Sequence, residues 1–260
     1  MPLTGFILNL MKIIDDLLIA ARAASNDHPV QEVLIGLHWT AVQSQYLGLA
    51  STQNDETCCF AEDIRGAGTL HEKSAYELAE YLRSSHPLEA SLGMAAVNSF
   101  LRVDEKNAVE INARDLIIQK SHGRRVALVG HFQFTEEIRC AASELWVLEL
   151  DPKLGDLPAG DAFRYLPDAD VIGITATTLL NGTFEDLAPL FPSRALVVMM
   201  GPTTPLSKVL FDHGIDVLAG ARVTDPQHIL RLIGQSSPLH KPEGLQRITL
   251  IRDRSIGLNL

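Results

Sequence analysis

Five short, continuous apolar runs in the second half of the chain restrict its architecture more than any other feature. They are RVALVG (125–130), LWVLEL (145–150), DVIGIT (170–175), ALVVMMG (195–201) and DVLAG (216–220). A strand with one wet face alternates apolar and polar residues, whereas a run that is apolar at every position must be covered on both faces. Helix-like segments separate several of the runs, which is the pattern of a parallel sheet wrapped in helices.

The first half has a different rhythm. Leu10, Ile13, Ile14, Leu17, Leu18 and Ala21 recur at helical spacing and predict an opening amphipathic helix that ends at Asn26 and Asp27. The stretch 30–51 alternates and is rich in β-branched and aromatic residues, predicting a hairpin or two to three strands. DIRGAGTL (63–70) reads as a loop, and 73–85 and 87–102 as two helices, the second opened by Pro87. The rhythm changes over INARDLIIQKSHGRR, dividing the chain into an α+β unit, 1–118, and an α/β unit, 119–260. RITLIRD (247–253) is a further strand candidate.

Local signals mark helix ends. Thr135, Thr204 and Asp225 each precede Glu or Pro and read as N-caps, and Thr183 and Asp186 have capping-box spacing. Gly214 and Gly234 read as C-terminal stops.

Composition excludes several classes of partner. The chain has 260 residues, 46% hydrophobic and 21% charged, with a formal net charge of −10 and no Lys/Arg-rich run. Nucleic acid and anionic membranes are therefore disfavoured. Lys12, Asp15 and Asp16 interrupt the apolar N-terminal segment, so no membrane span or signal core is expected. Cys58, Cys59 and Cys140 are odd in number and two are adjacent, which does not make a disulfide framework; a cytoplasmic setting is expected. No CxxC, HxxxH or HExxH spacing exists from which a metal site could be read.

In an open parallel sheet, ligands bind beyond the carboxyl ends of the strands. That rule collects Gly130, His131 and Phe132 after the first run, Glu149 closing the second, and Thr175, Thr178, Asn181 and Thr183 after the third. Gly201, Pro202 and Thr203 follow the fourth, and Gly220 ends the fifth. Glu149 is spaced like a ribose-binding acid, or it is an N–H-bonded strand terminus; the first turn, GHFQFT, lacks G-x-G-x-x-G, so classical NAD binding is disfavoured. A helix starting at Pro205 would aim free N–H groups at an anion beside Thr203 and Thr204. Asp156, in LGDLP, is a loop acid within reach of the cleft.

VALVGHFQF, LELDP, GDLP, LPDADVIGITATTLLNGTFEDL, GPTTPL and GIDVLAG, in that order, resemble the heavy-metal chelation family of prokaryotic proteins. GLHWTAV, LAEYL and ASLGMAAVNSFL resemble its companion N-terminal domain. The resemblance implies an enolase-N-terminal-like α+β domain followed by a Rossmann-like domain with a parallel sheet of about five strands. It implies a ligand site where the two meet, formed by the strand-end residues above other than Gly220, together with Asp156 and, from the first domain, Trp39, Thr40 and Asn98. Gln133 stands where the family's turn is expected to carry proline, a departure that loosens that loop.

The leading functional expectation is a protein that binds a metal ion or metal chelate in an interdomain cleft. An alternative is an enzyme using a nucleotide, S-adenosylmethionine or pterin-like cofactor. A homo-oligomeric scaffold would instead show an exposed apolar patch and a shallow cleft.

Overall fold

The computed structural model describes residues 12–53, 63–103, 108–109, 111–240 and 242–253. Leu10, Cys58 and Cys59 lie outside these residues. The first half supplies α1 (Lys12–Ala24), a three-stranded antiparallel sheet of β1 (Glu32–Ile35), β2 (Trp39–Gln43) and β3 (Leu47–Ser51), then α2 (Ala75–Ala79) and α3 (Pro87–Phe100). Ile13, Ile14, Leu17, Leu18 and Ala21, the stripe read from sequence, are the buried residues of α1. The expected helix over 73–85 is broken: Ser74 closes a capping box on α2, and the chain tightens to a 3-10 turn over Glu80–Arg83.

The small sheet is buried on both sides. Val42 and Ala50 face the main core with α3, while Ala41, Leu47 and Leu49 face Ile229 and Ile233. Period-two alternation thus sorts two apolar faces rather than one apolar and one wet. Gly48 lets α3 lie directly on β3: a Cβ there would sit 2.1 Å from the Ala95 carbonyl oxygen. Near the first turn of α3, the Glu89 carboxylate accepts the backbone N–H of Arg65 (2.8 Å) and both Nε and Nη2 of its guanidinium.

The remainder folds as β4 (Ala108–Val109), α4 (Ala113–Ser121), β5 (Arg125–Val129), α5 (Thr135–Ala141), β6 (Glu144–Glu149) and β7 (Leu157–Pro158). Then follow α6 (Ala162–Tyr165), β8 (Val171–Thr175), α7 (Thr177–Leu180), α8 (Phe184–Leu187), β9 (Leu196–Met200), α9 (Val209–Asp212), β10 (Val217–Val223), α10 (Pro226–Gly234) and β11 (Leu245–Ile251). All five apolar runs are strands, and they pair in parallel in the order β10-β9-β8-β5-β6. The sheet is wider than the five expected: β7 adds a parallel edge, and β11 and β4 extend the other side antiparallel, giving eight.

Alternate residues of each run reach opposite layers. Val126 and Leu128 pack with Leu116 and Ile117 of α4 and Ile138 of α5, whereas Ala127 and Val129 join the core shared with α1, α3 and α7. The continuity of that second layer joins the two sheets. Successive strands run from β5 outward to β6 and β7, then return to β8 on the other side of β5. The switch point therefore lies between the carboxyl ends of β5 and β8.

Two helix signals read differently in the folded chain, and a third reads as expected. Thr135 is the first residue of α5, with Phe134 before it, and its hydroxyl donates to the Phe132 carbonyl (2.7 Å). Gly234 is the last residue of α10, and the left-handed residue is Ser236. Asp225 does cap α10, accepting the N–H of His228.

Burial pushes the Glu89 carboxyl up, but hydrogen bonds from Arg65 and Ser84 outweigh it and hold the group down at about 2. A depressed folded-state value means the contribution is present above the unfolded value of about 4.3 and lost as pH falls towards 2. Urea unfolding of Glu89→Gln at pH 7 should show a loss of about 2 kcal/mol. The variant should also show a shallower fall in stability between pH 5 and 2; an unchanged acid limb would contradict the assignment.

Candidate functional site

At the switch point the structure opens a cleft of about 660 Å³. One wall is built from strand ends of the large sheet: His131, Phe132 and Gln133 after β5, Thr175 ending β8, Gly201, Pro202 and Thr203 after β9, and Gly220 in β10. Trp39 of β2 and Ser51 of β3 form the facing wall. Asn112 and Arg114 at the start of α4, Arg247 and Thr249 of β11, and His240 complete the lining. The volume is that of an ordinary small-molecule site.

His131 is fixed from three directions. Gly130 precedes it with φ +100°, and a Cβ there would lie 2.8 Å from Thr175 Cγ2, so the turn needs glycine for both its dihedral and its contact. The His131 backbone N–H donates to Glu149 Oε1 (2.7 Å), and the ring Nε2 lies 2.7 Å from Asp156 Oδ2. The Asp156 side chain is 3% exposed. Burial alone would raise its carboxyl; the Lys153 N–H and the His131 ring, both bonded to it, hold it below the usual aspartate value. An ionised carboxylate at Oδ2 selects the tautomer with hydrogen on Nε2, leaving Nδ1 as the ring's lone-pair nitrogen. Among the described residues Nδ1 has no hydrogen-bond partner.

The other expected residues serve different ends. Glu149 is engaged by the amides of His131 and Leu150 and does not line the cleft. Thr178 donates to the Thr175 carbonyl and is buried, and the Thr175 and Thr177 hydroxyls bond each other. Thr183 makes no capping box: its backbone is helical and its hydroxyl donates to Asn181 Oδ1. Thr178, Asn181 and Thr183 lie outside the lining. No helix starts at Pro205, because 205–208 are irregular and α9 begins only at Val209. The helix N-terminus expected there is absent; the segment is held instead by β3 and α3. Thr203 Oγ1 accepts the Ser51 N–H (2.9 Å), and Asn98 Nδ2 donates to both the Leu49 and Thr203 carbonyls. Thr40 is fully buried against Thr52. Asn98 thus ties the two walls together, Thr40 holds its own wall to Thr52, and neither lines the space.

Sequence reasoning missed the cationic side of the cleft. Arg114 pairs with Glu137 (2.9 Å), and both line it. Arg247 and Thr249 alternate on β11, the period-two signal within RITLIRD that could have revealed them. His240 Nδ1 lies 2.6 Å from Gln133 Nε2, closing the rim.

Among the described residues, no three His, Cys, Asp or Glu side chains are grouped to hold a metal ion, and Cys140 is an exposed free thiol. The available donor is one imidazole backed by a carboxylate, the arrangement that orients metal-ligating histidines. Such a donor suits an ion that brings most of its ligands with it. If Glu149 anchors the loop, Glu149→Ala should speed hydrogen exchange at the His131 amide about tenfold while β5 amides stay protected. An unaltered His131 rate would refute the anchor.

Two family models described as "Putative heavy-metal chelation" match the chain, over residues 18–101 and 112–251. An uncharacterized protein of Methanocaldococcus jannaschii is 28% identical over 177 residues, 63% of this chain and 68% of that protein. A crystal structure of a protein of unknown function from the same family, from Desulfitobacterium hafniense, superposes with TM-score 0.78 at 24% identity, over 94% of this chain and 99% of that one. Another, from Pyrococcus horikoshii, gives TM-score 0.78 at 21% identity over 92% and 99%. Both share the fold. With the model of 112–251 alone spanning more than half its length, the chain belongs to the family described as "Putative heavy-metal chelation".

Proposed function

We propose that the protein binds a metal ion already held by a small-molecule chelator, in the cleft between its two sheets, with His131 as the protein's donor. The observation that carries this reading is the His131–Asp156 pair at the switch point. A buried carboxylate on Nε2 fixes the plane of the ring and leaves Nδ1 as the lone-pair nitrogen. The Glu149 bond to the backbone and the glycine turn remove the remaining freedom of the loop, so little ordering is left for the moment of binding. The family description agrees with metal chemistry, and the absence of a group of three or more His, Cys, Asp or Glu ligands among the described residues favours a chelate over a bare ion.

Nickel nitrilotriacetate, which leaves coordination positions open to an imidazole, is a suitable probe. Isothermal titration should show binding of the complex to the native chain and none of the metal-free chelator. Asp156→Asn should weaken it by about 10- to 100-fold, and His131→Gln should abolish it with the melting temperature preserved. Equal affinity in His131→Gln would overturn the reading.

A further inference from the structure

The charges that line the cleft do not balance. Across the whole chain acids exceed bases, giving −10, yet the cleft lining carries two arginines and a single carboxylate. Glu137, the carboxylate, is engaged with Arg114 at 2.9 Å. Arg247 has no ion-pair partner among the described residues and lies on β11 opposite Ala221, whose side chain is too short to cover it. The neighbouring Thr249 hydroxyl is already donated to the Ile111 carbonyl. Arg247 is exposed at the cleft and so needs no counter-charge of its own, and its planar guanidinium is shaped to take a carboxylate through two parallel N–H bonds.

The rest of the lining limits what the anion can look like. Phe132 presents a half-buried ring, packed 5.5 Å from Phe134, and Trp39 stands on the facing wall. These surfaces receive an apolar or flat body rather than a compact inorganic ion. We propose that the ligand of the cleft is a carboxylate-bearing chelator with net negative charge, and that Arg247 is the residue that selects its charge. This rests on the chelate reading above and adds the sign of the ligand. In it His131 addresses the metal and Arg247 the surplus carboxylate.

The test compares two nickel chelates that leave similar open positions but differ in charge: anionic nickel nitrilotriacetate and cationic nickel tris(aminoethyl)amine. Both are titrated calorimetrically into the native chain and into Arg247→Gln, with melting temperature and circular dichroism confirming that the variant folds. The expected result is about tenfold or greater preference of the native chain for the anionic complex. In Arg247→Gln that preference should collapse through loss of the anionic complex, while the cationic one binds as well as before or better. Binding of both complexes through His131 with no preference, or a preference that survives Arg247→Gln, overturns the assignment of charge and leaves the chelate reading intact. Binding of neither complex to the native chain overturns both.

Discussion

One side-chain amide sets the relation between the two sheets. Asn98 donates to the Leu49 carbonyl on β3 and to the Thr203 carbonyl after β9, and Thr203 in turn accepts the amide of Ser51. The apolar layer between the sheets is larger in energy but indifferent to direction, so it draws them together without fixing how they meet. Hydrogen bonds have distance and angle requirements, and these three fix the meeting. Trp39 and Ser51 face the strand ends of the large sheet because this clamp puts them there.

The same division between apolar bulk and directional contact recurs at His131. Leu128 and Val129 bury β5, which brings its end to the switch point, but burial says nothing about which way an imidazole turns. Glu149 and Asp156, from the next strand and the loop after it, do that work through two bonds of 2.7 Å each. The side chains that orient the ring come from one edge of the sheet, and the cleft that His131 lines opens on the other side of β5. The ring is thereby held by groups that do not line the cleft.

Much of this was legible in the residues. The five apolar runs gave the parallel strands because coverage on both faces removes polar alternation, and that signal is local. Alternation in 30–51 gave the small sheet for a related reason. What could not be read was where tertiary bonds overrule local ones. Thr204-Pro205 has the letters of a helix start, yet Ser51 and Asn98 hold the neighbouring Thr203 and the segment stays irregular. Thr183 and Asp186 have capping-box spacing, but Thr183 is already helical and its hydroxyl turns back to Asn181. The pairing of Arg114 with Glu137, 23 residues away, and the lack of an ion-pair partner for Arg247 among the described residues were equally out of reach, since both depend on how α4, α5 and β11 are laid side by side.

The placement of α10 has a consequence for synthesis. Ile229 and Ile233 cover the face of the small sheet that bears Ala41, Leu47 and Leu49, and Leu239 joins them. As the chain leaves the ribosome, residues 32–51 are made early, but their second apolar face has no cover until about two hundred further residues have followed. Three strands packed on α3 can hold together, but an apolar face left uncovered is open to contact with other chains. The amino-terminal portion therefore keeps that face exposed until the far end of its own sequence arrives, which is the stage at which a nascent-chain chaperone would have most to hold.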